Sequence, residues 1–379
     1  MVDLLVKKVV AVFLLLPILT VITFAVPAVN AKSAVVMNAQ TGEIVYEKEA
    51  HVRRSMASTT KIMTAVIALE SGRMLETVTV TPEMMGAEGT SIGLKVGYKM
   101  KLIDLLYGLM LESGNDAADA IAVYLAGSRE KFADMMNRKA AEIGMTETNF
   151  VTASGLDDEN HYTTAYDMAL LGSYAVKKPA FRSLCSCKTK TVSFDEPDIK
   201  VTFTNHNRLL SSYEGAFGIK TGFTKKSGRC LVSAAGRNGI CFVCVTLNDG
   251  DDWNDHRKML DFAFESVSTQ TVEVKDTYSV PVEGGTASSV SLYAKSEFFC
   301  PVSGEKKNIE ARVCLPKFVY APLMKGDAVG KIEYYADGRK IAEQNLVCPA
   351  DVAAAAPKRV QKKSFIRRIL EKLNLIGDP

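Results

Sequence analysis

The feature that most constrains the fold is a helical block set between two strand-rich stretches. KLIDLLYGLMLE, NDAADAIAVYLAG and SREKFADMMNRKAAEIGM carry apolar residues at helical spacing and follow one another with short breaks. Before them, SAVVMNAQTGEIVYEKEA alternates apolar and polar residues around Gln40-Thr41-Gly42, which predicts a hairpin of two edge strands turning at the glycine. The apolar run MASTTKIMTAVIALE, stopped by Gly72, predicts a further buried helix. After the block come SFDEPDIKVTFTN, GAFGIKTGF, RCLVSAAGR and GICFVCVTLN, strand-like runs separated by glycine-containing turns, and then the helical RKMLDFAFESV. This order implies an α+β (α/β) domain with helices packed on a mainly antiparallel sheet.

From about Val272 the texture changes to short strands broken by Gly, Pro and Lys, which predicts a small all-β domain. At 379 residues the chain is long enough for two domains and tails. The expected boundaries are 1–31 for a signal peptide, 32–271 for the α+β domain, 272–352 for the β domain and 353–379 for a linker and an amphipathic helix. The leader reading rests on Lys7 and Lys8 ahead of an apolar run, followed by the small residues Ala25, Ala28 and Ala31, with cleavage expected near Ala28 or Ala31. An uncleaved anchor is the alternative, and either reading puts the body outside the cytoplasm. In the tail, Phe365, Ile366, Ile369, Leu370, Leu373 and Ile376 fall on one helical face, with Lys362, Lys363, Arg367, Arg368 and Lys372 elsewhere, the pattern of a helix lying on a membrane surface.

A formal charge of +3 and the lack of a basic patch interleaved with aromatics argue against nucleic acid as a partner. The eight cysteines of an exported chain could form disulfides, but a chain this long does not need them, and buried free thiols are expected. Cys185 and Cys187 would share one face if they stood on a strand. The one Cys-x-x-Cys, Cys241-Phe242-Val243-Cys244, lies in an apolar strand-like run where cysteine behaves as a small hydrophobe, and His51, His161, His206 and His256 lack zinc-site spacing, so no metal and no cofactor are expected.

Ser-x-x-Lys occurs three times, at Ser58/Lys61, Ser128/Lys131 and Ser303/Lys306, so that pattern alone cannot choose. Two other motifs choose. Ser113-Gly114-Asn115 falls between two helical runs, and Lys220-Thr221-Gly222 ends the apolar run AFGIK, while the looser Lys226-Ser227-Gly228 lies in a turn. Ser-x-x-Lys, Ser-x-Asn and Lys-Thr-Gly in this order are the joint signature of penicillin-binding proteins and class A β-lactamases. The chemistry has a reason. A serine hydroxyl needs an adjacent base, and a lysine one helical turn on covers the same face and can serve if it is neutral. Burial of Lys61 and a second cation at Lys220 would both favour the neutral amine.

With these residues in view, the chain resembles the serine D-alanyl-D-alanine carboxypeptidases, low-molecular-mass penicillin-binding proteins. The blocks TGEIVYEKEAHVRRSMASTTKIMTA, LLYGLMLESGNDAADAIA, NFVTASGLDDENHYTTAYDMA, NHNRLL and GIKTGFTKKSGRCLVSAA carry the likeness, from about Ser33 to Phe264, and the β domain and tail match the family's layout. The resemblance implies a β-lactamase/transpeptidase-like fold and removal of the terminal D-alanine from peptidoglycan stem peptides. Ser58 would be the nucleophile, Lys61 its base and Ser113 a proton carrier to the leaving D-alanine. Asn115 would hold Lys61 and the substrate backbone, Lys220 and Thr221 would bind the substrate carboxylate, and Gly222 would leave room for close approach. The backbone N–H groups of Ser58 and Phe223 would form the oxyanion hole. β-Lactam antibiotics would inhibit, and the enzyme would work at the outer face of the cytoplasmic membrane, held there by its tail.

Some positions depart from the pattern. Ser154 stands where some relatives carry histidine, and no arginine clearly matches the one that reads the carboxylate in some relatives, only Arg257 being near. His161 and His206 are expected as hydrogen-bonders in a loop and a strand, and Asp116, rather than acting as an acid, as a helix cap. Three other functions compete. A β-lactamase would add a deacylating glutamate, and no Glu-x-x-Leu-Asn lies between Asn115 and Lys220. A wall-binding or antibiotic-sensing protein without turnover is opposed by the intact motifs, and a zinc peptidase by the scarce histidines.

Overall fold

The computed structural model describes residues 26–356, apart from 276, 295–296 and 304–306. Its contacts divide the chain into two units, residues up to 270 with 301–306, and the remainder from 271. The first unit contains helices α1 (Lys61–Glu70), α2 (Leu102–Leu111), α3 (Asn115–Ala126), α4 (Arg129–Ile143), α5 (Ala165–Val176), α6 (Pro179–Ser186), α7 (Leu209–Ser212) and α8 (Asp252–Ser266). Its strands are β1 (Ser33–Asn38), β2 (Ile44–Lys48), β3 (Thr77–Thr79), β4 (Lys99–Lys101), β5 (Thr189–Glu196), β6 (Ile199–Thr204), β7 (Ala216–Thr224), β8 (Gly228–Arg237) and β9 (Ile240–Leu247).

The main sheet runs β2-β1-β9-β8-β7 and every pairing in it is antiparallel. Both faces are covered, and that explains why its strands read as nearly unbroken apolar runs. Val35, Met37, Val232, Ala234, Val243 and Val245 point into the large cluster with the helical block. Their neighbours Ala34, Val36, Leu231, Ala235, Phe242 and Cys244 point the other way, onto Met259, Leu260 and Ala263 of α8. Residues one apart on a strand thus serve two cores. β1 lies between β2 and β9, so the expected pair of edge strands is corrected: β2 is an edge, and β1 is interior because its other side pairs with β9. A smaller sheet, β3-β4-β5-β6, also belongs to this unit.

The second unit is all β, with β10 (Val267–Glu273) leading into it, followed by β11 (Thr277–Glu283), β12 (Ser289–Tyr293), β13 (Glu297–Ser303), β14 (Ile309–Cys314), β15 (Val319–Tyr320), β16 (Ala328–Ala336) and β17 (Arg339–Val347). Six of these strands form a sheet in the order β14-β16-β17-β12-β11-β15, whose inward positions include Val280, Leu292, Ile332, Tyr334 and Leu346.

All eight cysteines are free, with Cys314 exposed and Cys187 half-buried. Cys185 stands on α6 and Cys187 just past its end, so the two do not share a strand face. Among the described residues no helix is long and apolar enough to cross a membrane, and no cluster of His, Cys, Asp and Glu is suited to a metal. The expected leader up to residue 25 and the amphipathic segment 364–376 lie outside the described residues.

Candidate active site

Ser58 sits on a 3-10 turn, Ala57–Thr60, that leads directly into α1. α1 is KIMTAVIALE, apolar almost throughout and buried along Lys61 to Ala68, so its only cation is carried into the core. Lys61 is wholly buried, and its Nζ lies 2.9 Å from Ser58 Oγ, 2.7 Å from Asn115 Oδ1 and 2.6 Å from the Ser154 carbonyl oxygen. A neutral amine has two N–H donors and one lone pair. Donation to Asn115 and Ser154 uses both donors and leaves the lone pair for the Ser58 hydroxyl. Burial, and after it the charge of Lys220, lowers the Lys61 pKa well below the ordinary lysine value, against weaker opposition from Asp119 and Asp116.

Asn115 opens α3, and its Nδ2 donates to the Glu88 carbonyl at 2.6 Å, which fixes Oδ1 toward Lys61. Ser113, half-buried between α2 and α3, has φ +63, and Ala57, just before Ser58, has φ +47. Left-handed backbone at non-glycine residues costs about 1 kcal/mol or more each and persists where surroundings enforce it. One such residue precedes Ser58, and the other is Ser113 itself. Among the described contacts Ser113 makes no hydrogen bond to Ser58 or Lys61.

Lys220 is buried, its pKa pushed down to about 7 by burial with Glu112 opposing, and its Nζ donates to the Thr221 carbonyl at 3.2 Å. It lies inside β7 rather than at its end, because the strand continues through Gly222 and Phe223 to Thr224, paired with Gly228. Gly222 is close to the turn that carries Ser58. A Cβ there would stand 3.0 Å from the Ser58 nitrogen and 3.1 Å from Ala57 Cβ, so glycine lets β7 approach the turn itself.

The loop after α4 completes the site, and here several residues were missed in the sequence. Gly155 has φ +86, and a Cβ on it would fall 1.9 Å from the Ala57 carbonyl oxygen, so the loop packs directly on the turn that carries Ser58. That contact delivers the Ser154 carbonyl to Lys61. His161 fastens the loop: Nδ1 accepts from the Val151 N–H at 2.9 Å, which leaves the proton on Nε2 for Thr60 Oγ1 at 2.8 Å. Burial holds this imidazole at a pKa of about 4, and it is a loop hydrogen-bonder as expected. Asp157 Oδ1 accepts from Ser55 and from Thr224, each at 3.0 Å, joining the turn, the loop and β7.

Asp116 does not cap α3. Its carboxylate accepts from the Ser91 hydroxyl and from the Ile92 and Leu94 N–H groups, holding the segment beside the site, and its one bond in the helix is to the adjacent Ala117 N–H. Asp119 pairs with Arg129 at 2.8 Å. His206 is exposed beside Glu112 in a loop before α7, not on a strand, and Arg257 bonds Asn254.

A family model described as D-alanyl-D-alanine carboxypeptidase matches residues 20–251. The chain belongs to this family. A second model, the penicillin-binding protein 5 C-terminal domain, matches residues 268–354. The D-alanyl-D-alanine carboxypeptidase DacF of Bacillus subtilis is 31% identical over 345 residues, covering 86% of this chain and 87% of the relative. DacC of Escherichia coli is 33% identical over 351 residues, covering 87% and 86%. Among solved structures, penicillin-binding protein 5 from Haemophilus influenzae aligns with TM-score 0.62 and 28% identity over 87% of this chain and all of that one. The DD-transpeptidase of Streptomyces K15 aligns with TM-score 0.60 over 63% of this chain. This chain is therefore a serine-type D-alanyl-D-alanine carboxypeptidase with a penicillin-binding-protein fold and a C-terminal β domain, and its work is on the cell wall.

Proposed function

We propose that the enzyme removes the terminal D-alanine of a peptidoglycan stem pentapeptide through an ester formed on Ser58, and that Lys61 is the base. The observation that carries this is the Lys61 amine, buried and depressed in pKa, with both donors occupied and its lone pair free for the Ser58 hydroxyl. Ser58 Oγ attacks the carbonyl of the penultimate D-alanine as its proton passes to Lys61. The oxyanion is received by the backbone N–H groups of Ser58 and Phe223, donors of a kind whose removal costs ~10²–10³ in rate. The C–N bond breaks as the D-alanine nitrogen takes a proton by way of Lys61 and Ser113. Water then adds to the ester, Ser58 recovers its proton, and the shortened peptide leaves.

Lys220 and Thr221 hold the substrate's free carboxylate, and Asn115 positions both Lys61 and the peptide. A buried cation at Lys220 is strengthened by an anion beside it, so substrate raises the Lys220 pKa from about 7. β-Lactams enter by the same route, as carboxylates carrying a reactive carbonyl. The protein is exported and stays at the outer face of the cytoplasmic membrane, with 364–376 lying in the lipid interface. Processing after Ala28 suits the packing better than processing after Ala31. Ala31 is buried, the Asn30 N–H donates to the buried Asp255 carboxylate, and the Val29 carbonyl accepts from Lys48 Nζ at 2.9 Å.

The test is release of D-alanine from a stem pentapeptide by the wild type and by Ser58→Ala, with peptide mapping of a penicillin adduct. Loss of a comparable nucleophile in another serine hydrolase costs about 10⁶ in turnover. An adduct on another serine, or undiminished release by Ser58→Ala, refutes the assignment. Binding of penicillin without any release of D-alanine supports the non-turnover reading instead.

A further inference from the structure

Two aromatic side chains stand out on the β domain, Phe318 at 45% and Tyr320 at 70% exposure, with Met324 at 57% in the same segment. Their rings meet edge to face at 5.3 Å, so they form one apolar projection rather than two stray side chains. The segment is rigidly seated. Val319 and Tyr320 pair in parallel with Val282 and Glu283, the Ala321 N–H donates to the Glu283 carbonyl, and Leu323 bridges to Val352. Exposed Lys317 and Lys325 flank it, and Glu283, Asp327 and Asp351 lie close by, so no single charge marks the patch.

What covers these rings is indicated by where the chain leaves. The Ala355 N–H donates to the Gly284 carbonyl at 2.7 Å, and Gly285 bridges to Ala354. Gly284 follows Glu283, the partner of Tyr320. The described chain therefore ends, at 356, beside Gly284 and so close to the aromatic pair, and the sequence that follows is rich in apolar residues, lysines and arginines. Tyrosine and phenylalanine at such a site suit the boundary of a lipid layer, where the ring enters and a hydroxyl stays wet. The tail itself is a poorer occupant, because two rings and one methionine cannot cover its six large apolar residues Phe365, Ile366, Ile369, Leu370, Leu373 and Ile376.

We propose that Phe318 and Tyr320 form a second membrane contact, entering the interface of an anionic phospholipid layer beside the point where the C-terminal segment enters it. This rests on the reading of that segment as the anchor. Two attachment points, one on a folded domain and one on a tail, fix the β domain's orientation to the membrane where a tail alone would tether it loosely.

The test uses the full chain. Phe318→Trp places a reporter at the patch, and the unsubstituted chain, whose one tryptophan is Trp253, is the control. Vesicles of phosphatidylglycerol and phosphatidylethanolamine, with and without brominated acyl chains, are added, and pelleting is measured in parallel. A blue shift and bromine quenching of the new tryptophan, absent in the control, are expected. The double variant Phe318→Ser with Tyr320→Ser should partition about tenfold more weakly. A chain that pellets with vesicles while the reporter stays unshifted and unquenched overturns the second contact and leaves the tail as sole anchor. A chain that does not pellet at all overturns the anchoring reading and the contact with it. If truncation after residue 356 red-shifts the reporter without vesicles, the tail covers the rings and the proposal fails.

Discussion

His161 offers a test of how the loop is held on the turn that carries Ser58. It is 2% exposed, and desolvation, reinforced slightly by Lys61 and opposed by Asp158 and Asp157, brings its pKa from 6.5 to about 4. Between those values the unfolded chain binds a proton that the folded chain refuses, so stability falls as pH drops from about 6.5 toward 4. For one group with these two values the loss is about 2.5 kcal/mol at pH 4.5 and near zero at pH 7.5. His161→Asn keeps an acceptor for the Val151 N–H and loses the bond to Thr60, which with the small void left costs about 1–3 kcal/mol at pH 7.5. The variant carries no acid penalty at this site. Its deficit should therefore shrink by about 2.5 kcal/mol at pH 4.5, to near equality or slight advantage. His256, also buried with its pKa lowered to about 3, is common to both chains and cancels in the difference. Urea unfolding followed by Trp253 fluorescence at the two pH values measures it. A deficit that stays constant between pH 7.5 and 4.5 would show that the imidazole is not held neutral, and the account of the latch would fall.

Three further outcomes follow from the same contacts. Penicillin acylation should rise with pH as Lys61 loses its proton. In Lys220→Ala that rise should move to higher pH, because a cation that lowers the Lys61 pKa is gone; stopped-flow acylation profiles with an unmoved limb would count against it. Gly155→Ala must displace either the loop or the Ala57 carbonyl, so D-alanine release should drop at least as steeply as stability, read by activity and thermal unfolding together. Intact mass of the exported protein should place its first residue at Val29, and a mass beginning at Lys32 would mean that the bonds at Val29 and Asn30 are dispensable.

Much of this was legible in the sequence because its causes are periodic or local. The helical block, the strands that serve two cores and the order of the three motifs all leave marks in residue type. The interior place of β1 did not, since an interior strand and a buried edge strand read alike until the partner at β9 is known. Lys220 appeared to end a strand because polar residues follow it, whereas backbone pairing continues to Thr224 regardless of side chain. The least visible member of the site is the Ser154 carbonyl. Every residue has a carbonyl, so nothing in residue type marks this one; it is brought to Lys61 by the turn at the glycine after it, whose φ is +86. Asp116 read as a cap from its place near a helix start, but its bonds reach back to Ser91–Leu94, a choice set by tertiary contact.

The sheet order leaves β7 with one side unpaired. An open strand edge is a hazard, since another chain can add to it indefinitely. Here the turn carrying Ser58 sits against the strand near its C-terminal end, where a Cβ at position 222 would meet the Ser58 nitrogen at 3.0 Å. An open strand edge is also what an extended peptide needs to add to a sheet, and on the proposed function the substrate's peptide end is such a peptide. On the proposed function, the edge that could recruit another chain is the edge that receives the substrate, so changes that loosen the Ser58 turn from β7 should be read for solubility and for D-alanine release together.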